Sequence, residues 1–321
     1  MRKCTKIWLI TAASLILLGG ILYVGVMSML GWNFKNLSTV RYETNEYEIS
    51  EAYRSISVMT DTADIVFVPS EDGRTTVTCH EEQRMKHTVS VQGGTLVIER
   101  VDTRKWYHHI GISFGSPKIT VSIPEGTLGA LSVKASTGDV KISQDFGFER
   151  VNVSLSTGDA TCYASVSGDL KIRTSTGHIR LENLTAGSVD LRATTGAINA
   201  SSVTCVGDIK TAVSTGRTTL ADITCRSLAT SGSTGDLFMN DVIASGSFDI
   251  ERDTGDVKFE RCDAAEIFIE TDTGNVKGSL LSEKVFIVDT DTGSKDVPKT
   301  VTGGRCEIDT DTGDVKITLV S

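Results

Sequence analysis

A Thr-Gly pair recurs ten times, with its threonine at 137, 157, 176, 195, 215, 234, 254, 273, 292 and 312, each 19 or 20 residues after the last. A chain this periodic folds by stacking copies of one small unit, because a single unit cannot bury its own apolar face. The glycines Gly138, Gly158, Gly177, Gly196, Gly216, Gly235, Gly255, Gly274, Gly293 and Gly313 follow those threonines. Glycine at every repeat marks a tight turn with a positive φ, where a side chain would be strained. The residue before each threonine is Ser or Thr in the first six repeats and Asp in the last four. These too are turn formers, since their oxygens accept from nearby backbone N–H groups.

The apolar residues say what the turn connects. With each threonine taken as zero, positions −6 and −4 are Leu131 and Val133, Val151 and Val153, Leu170 and Ile172, and later Ile267 and Ile269. Positions +3 and +5 continue with Val140 and Ile142, Ile179 and Leu181, and Val315 and Ile317. Alternation with period two on both sides of the turn gives two short strands per repeat with one face inward. A second, looser turn is marked by Gly168, Gly187, Gly207 and Gly246, and its variable length accounts for the 19-or-20 step. The expected fold is therefore all-β, a parallel β-solenoid (β-helix) of about ten coils over residues 131–321. At a spacing of about 4.8 Å per coil it is on the order of 50 Å long.

Residues 53–130 read as an N-terminal β cap protecting the first exposed edge. Within them Ile56, Val58, Ile65 and Phe67 repeat the coil phases, with Ala63 where glycine would stand. Further strands are expected at 75–80, 87–91, 95–101 and 118–123. Residues 31–52 are polar and irregular, a linker. Before them, residues 7–30 carry no charge and are long enough to span a bilayer. Arg2, Lys3 and Lys6 in the segment 1–6 predict a cytoplasmic N-terminus, an uncleaved signal-anchor transmembrane helix, and the bulk of the chain outside the cell membrane. With 32 basic and 41 acidic residues, the net charge of −9 gives no electrostatic case for nucleic acid as a partner.

The apolar anchor, the N-terminal strands ending in Lys118-Ile-Thr-Val-Ser-Ile-Pro124, and repeats of the Ser-Thr-Gly-Asp-Val-Lys-Ile type at 136–142 resemble one bacterial group. It is the putative adhesin β-strand-repeat family, a domain of unknown function that includes LiaG-like envelope proteins of Gram-positive bacteria. The resemblance covers roughly residues 50–321, and the Thr-Gly-Asp turns at 137–139, 157–159, 254–256 and 312–314 carry most of it. It implies a β-solenoid at the cell surface and brings no catalytic residues.

Outward positions hold whatever chemistry the rod has. At −3 the first six repeats carry Lys134, Ser154, Arg173, Arg192, Ala212 and Ser231, and the last four carry Glu251, Glu270, Asp289 and Asp309. At −1 the last four add Asp253, Asp272, Asp291 and Asp311. Eight carboxylates on a grid of about 5 by 7 Å repel one another. They are candidates for weak Ca²⁺ binding through oxygen ligands, with a solvated, aggregation-blocking face as the competing reading. No other cofactor is implied. The Thr-x-Thr runs of the last coils share the phase of the buried and turn positions, which reads against a flat hydroxyl array.

Catalysis finds little support. His108 and His109 sit in an aromatic loop without an assignable partner, and His178 stands at +2, where other repeats have Asp. No HExxH, Walker or GxSxG motif occurs. The six cysteines beyond Cys4 match no zinc spacing and read as small core residues, with Cys205 and Cys225 in the same phase. The expected function is a non-catalytic, adhesin-like surface protein that binds an unidentified protein or glycan. The competing expectation is a polysaccharide-acting β-helix enzyme.

Overall fold

The computed structural model describes residues 3–33, 40–102 and 115–320. The helix Lys3–Met29 exposes most of its apolar side chains, Met27 being buried. By length and composition, Thr5–Met29 is sufficient to cross a membrane. From residue 40 onward the described chain is almost entirely strand, forming one β-solenoid.

Two walls of parallel strands meet at the Thr-Gly turns. The first wall runs through Gly126–Thr137, Phe146–Thr157 and Ser165–Thr176, then 189–195, Ile209–Thr215, Leu228–Thr234, 248–254 and 267–273. The second runs through Val140–Ile142, Ala160–Cys162, 179–186, Ile198–Cys205, Thr218–Cys225, 237–244 and 257–264. Equivalent residues pair from coil to coil, as Val151 does with Leu131 on one side and Leu170 on the other. The inward phases fuse into a single apolar column, with Phe67, Phe148 and Phe248 among its largest fully buried side chains.

The Thr-Gly turn is held from coil to coil by main-chain hydrogen bonds. Gly158 N–H donates to Thr176 O at 2.9 Å, Gly177 to Thr195 at 2.9 Å and Gly216 to Thr234 at 2.8 Å. The residue after the glycine adds a second ladder through its side chain. Asp139 Oδ1 accepts from Asp159 N–H at 2.8 Å, Asp159 Oδ1 from His178 N–H at 2.7 Å, and His178 Nδ1 from Ala197 N–H at 2.9 Å. His178 therefore does with a ring nitrogen what its neighbours do with a carboxylate. The ladder resumes from Asp236 through Asp256 and Asn275 to Asp314 and Ser294.

The far end departs from simple sequential stacking. The strand 267–273 pairs with Gly304–Thr312 and not with Lys284–Thr292, which lies beyond it on the other side. Val276–Leu280 likewise pairs with Val315–Leu319. The last coil in sequence is inserted between the two before it, and the ladder confirms this, with Gly274 N–H donating to Thr312 O and Gly313 N–H to Thr292 O. The near end does the same. Ser55–Thr62 is sandwiched between Gly126–Thr137 and Thr95–Asp102, and Asp64–Pro69 lies between Val140–Ile142 and Lys118–Ile123. Beyond these, Tyr42–Ile49, which lies in the stretch 31–52 expected to be an irregular linker, joins Thr75–Glu82 and Met85–Gln92 in adding antiparallel strands that close the end.

The second bend differs from the expectation in its chemistry. Its positive-φ residue lies at +7 and is not glycine: Asn183, Ser202, Asp222, Asp241 and Arg261 have φ of 52 to 54° in successive coils. The bend shifts the inward phase, so Leu181 and Leu184 both face the core. Gly168, Gly187, Gly207 and Gly246 serve close approach instead, each set against a carbonyl of the coil beneath, Glu149 O standing 2.6 Å from where a Cβ on Gly168 would lie.

Gly126 and Gly216 share nearly the same φ, 146° and 144°, but a Cβ meets nothing at Gly126 and overlaps the Gly196 carbonyl at Gly216. Gly216→Ala is expected to cost about 1–3 kcal/mol more than Gly126→Ala in denaturant unfolding, the difference measuring the close approach alone. Asp256 is held at about 2, below its usual 3.8, chiefly by its hydrogen bond with Lys258 and by the Asn275 N–H, against a smaller opposing effect of burial. A depressed carboxylate stabilises the fold above its unfolded value and stops doing so as pH falls through its folded one. Urea titrations between about pH 4 and pH 2 are therefore expected to show a smaller loss of stability in Asp256→Asn than in the native chain.

Candidate binding face

Every residue at −3 points outward from the first wall, and pairing sets their order along the rod. The row runs Lys134, Ser154, Arg173, Arg192, Ala212, Ser231, Glu251, Glu270, Asp309, Asp289. The inserted last coil thus exchanges Asp309 and Asp289 relative to their order in the chain, and Asp311 and Asp291 follow them. All eight carboxylates at −3 and −1 are exposed. Asp289 is drawn into an ion pair with Lys295 at 2.8 Å, which lowers its pKa.

Between the basic and acidic ends the face is hollow. Ala212 and Ser231 carry short side chains, and the wall recedes there into a shallow trough of about 530 Å³. Arg173 and Arg192 stand on one side of it, and Glu251 and Asp253 on the other. A second hollow of about 250 Å³ continues beside it, past Asp190, Lys210 and Asp249, and a third of about 190 Å³ lies between Glu251, Phe268, Glu270 and Asp309. Asp190 positions the two arginines, accepting from Arg192 Nε at 2.9 Å and from Arg173 at 3.3 Å. Partial burial works to raise its pKa, but the hydrogen bonds and charges of Arg192 and Arg173 outweigh it and hold the carboxyl below its ordinary value.

Gly232 has a counterpart inside the wall. Arg252 pairs with it in the next coil, is 3% exposed, and lays its guanidinium into the space that a side chain on Gly232 would fill. It donates to Thr230 Oγ1 at 2.9 Å, and burial lowers its pKa to about 10. The sequence pattern gave no warning of an arginine at an inward position.

The threonines of the last coils divide as their phase required. Thr271 and Thr310 are buried, whereas Thr273, Thr292 and Thr312 are exposed at the turn. Cys205 and Cys225 are free and buried, as are Cys79, Cys162, Cys262 and Cys306. His108 and His109 lie outside the described residues. Among the described residues, three ligand atoms of metal-binding type lie within 4.8 Å of one another at Cys79, Glu81 and His87 and not among the eight outward carboxylates. Sequence spacing missed this group because its members lie on two strands of the cap, with no motif separation between them.

A family model described as Toastrack DUF4097 matches residues 53–214. Among solved structures, the chain is similar to a putative lipid binding protein from Parabacteroides distasonis, at 19% identity and a TM-score of 0.52, over 75% of this chain and 98% of that one. It is also similar to a putative adhesin from Bacteroides fragilis, at 18% identity and a TM-score of 0.45, over 74% of this chain and 97% of that one. Identities this low speak to the fold alone. No curated protein matches the sequence.

Glu270 stands between Glu251 and Asp309 in the acidic row. If the row is a repulsive solvated face, Glu270→Gln raises the unfolding temperature at low ionic strength, and the gain fades at about 1 M salt, where the Debye length falls to about 3 Å. If the row binds Ca²⁺, the same substitution lowers the unfolding temperature in millimolar calcium, and differential scanning calorimetry separates the two outcomes.

Proposed function

We propose, from the premise that the chain belongs to the Toastrack DUF4097 family, that it is a non-catalytic binding protein of the cell surface, held to the membrane by its N-terminal helix. Its ligand is an extended polar chain, a protein segment or a glycan, that lies in the trough of the first wall. The observation that carries this reading is the polarity of the trough: Arg173 and Arg192 on one side, Glu251 and Asp253 on the other, and a floor of Ala212, Ser231 and Gly232 between them.

Arg192 and Glu251 are three coils apart in the pairing order, or about 15 Å at the usual strand spacing. A ligand carrying an anionic and a cationic group at that separation satisfies both ends at once. Backbone rigidity favours such a role, since the floor strands are hydrogen-bonded on both sides and need no ordering on binding. Binding is favoured over hydrolysis because the trough is shallow and Glu251 and Asp253 both stand exposed at its side, with no enclosed cleft around them. The segment Thr5–Met29 supports anchoring by its length and apolar composition.

Screening the detergent-solubilised chain on peptide and cell-wall glycan arrays tests the reading. A ligand found there is expected to bind about tenfold more weakly to Arg192→Ala and again to Glu251→Ala, each substitution removing a hydrogen bond to a charged group. Binding that both substitutions leave unchanged, or cleavage of the bound glycan, would overturn it.

A further inference from the structure

The cap holds a cluster of side chains with no place in the trough. Thr75–Glu82 carries Cys79 and Glu81 on its inward face, and Met85–Gln92 turns back to bring His87 across from them. Cys79 is fully buried, Glu81 is 1% exposed and His87 is 4% exposed. One ligand atom from each lies within 4.8 Å of the other two. We propose that Cys79, Glu81 and His87 form a zinc site that fastens the two walls of the cap together.

The donor set is the first argument. A thiolate, an imidazole nitrogen and a carboxylate oxygen are the three ligand types zinc takes in proteins, and three of them leave a fourth position for water. A thiolate in the set disfavours Ca²⁺ and Mg²⁺, which take oxygen. Charge is the second argument. Zn²⁺ with one thiolate, one carboxylate and a neutral imidazole sums to zero, so the occupied site carries no net charge into the interior.

The surroundings are the third. A histidine that binds a metal usually donates its other ring N–H to a fixed acceptor, and a ligating carboxylate is usually held by a donor. Both supports are present. Thr60 Oγ1 lies 2.9 Å from His87 Nε2, and Asn45 Nδ2 donates to Glu81 Oε1 at 2.7 Å, while the His87 backbone N–H donates to Glu81 Oε2 at 2.6 Å. The Cys79 thiol is buried and makes no hydrogen bond among the described residues, so no other partner competes for its sulfur.

Proton accounting closes. Without metal, His87 Nδ1 and Glu81 Oε2 share a hydrogen bond of 2.6 Å. When zinc enters, the thiol proton leaves to solvent, and the Nδ1 proton passes to Nε2, where Thr60 accepts it. Nδ1 and Sγ then present lone pairs to the metal beside Oε2, which keeps its hydrogen bond from the His87 backbone N–H, and no oxidant or reductant is consumed.

The test uses the full chain in detergent under reducing conditions, dialysed with Zn²⁺ and assayed by elemental analysis, with Co²⁺ as a spectroscopic substitute. One zinc per chain is expected, with a thiolate-to-cobalt charge-transfer band in the near ultraviolet. Cys79→Ser abolishes the band, and Thr60→Val, which leaves all three ligands in place, weakens zinc binding about 10–100-fold. No retained zinc, no band in the native chain, or undiminished binding in Cys79→Ser would overturn the proposal, the last outcome moving the metal to the exposed carboxylates. Should Cys79→Ser lose its β-sheet circular dichroism, the native cobalt band and the Thr60→Val shift decide the matter by themselves.

Discussion

The contact between one Thr-Gly turn and the next governs the rest of the molecule. From Gly158 through Gly177, Gly196, Gly216 and Gly235 to Gly255, the glycine N–H reaches the threonine carbonyl of the adjoining coil, and the glycine α-carbon lies against the carbonyl of the glycine on its other side. A side chain there is excluded twice, by the positive φ and by the neighbouring coil. Because this contact fixes each coil's rotation relative to the next, it also fixes which side chains stack. The inward column, the outward row and the trough all inherit their alignment from it.

A fixed alignment makes small differences accumulate. A lone serine or alanine on a surface is unremarkable, but Ala212 and Ser231 fall in register, and together they hollow the wall. Arg173 and Arg192, joined through Asp190, become a fork, and the acidic residues beyond Glu251 become a continuous negative stretch. In a globular protein such residues would be scattered by loops. Here the repeat converts sequence composition directly into a gradient of charge along the face.

Much of this was legible beforehand, and the reasons for the rest are physical. The period and the alternation fix the coil, its turn and its inward residues, since burial and turn geometry act within twenty residues. The order of the last two coils is not a local property. The coils at Thr292 and Thr312 present the same phases to a neighbour, so periodicity is indifferent to which one lies against Thr273. The +7 bend left a trace in Asn183, Asp222 and Asp241, residues that tolerate a positive φ, but Arg261 and Ser202 blurred it. Arg252 was hidden because the space it fills is created by Gly232 in a different coil. Cys79, Glu81 and His87 meet only because the cap folds one strand across from another, and no spacing rule describes that crossing.

The insertion of the final coil bears on how the rod carries force. A solenoid whose last coil sits at its tip can be peeled from that end, one rung at a time. Here Val315–Leu319 is gripped by Val276–Leu280 on one side and by Lys295–Asp296 on the other, and Gly304–Thr312 is likewise held on both sides. Tension that enters through Val315–Leu319 must shear both seams together, so such a load is spread into the body of the stack.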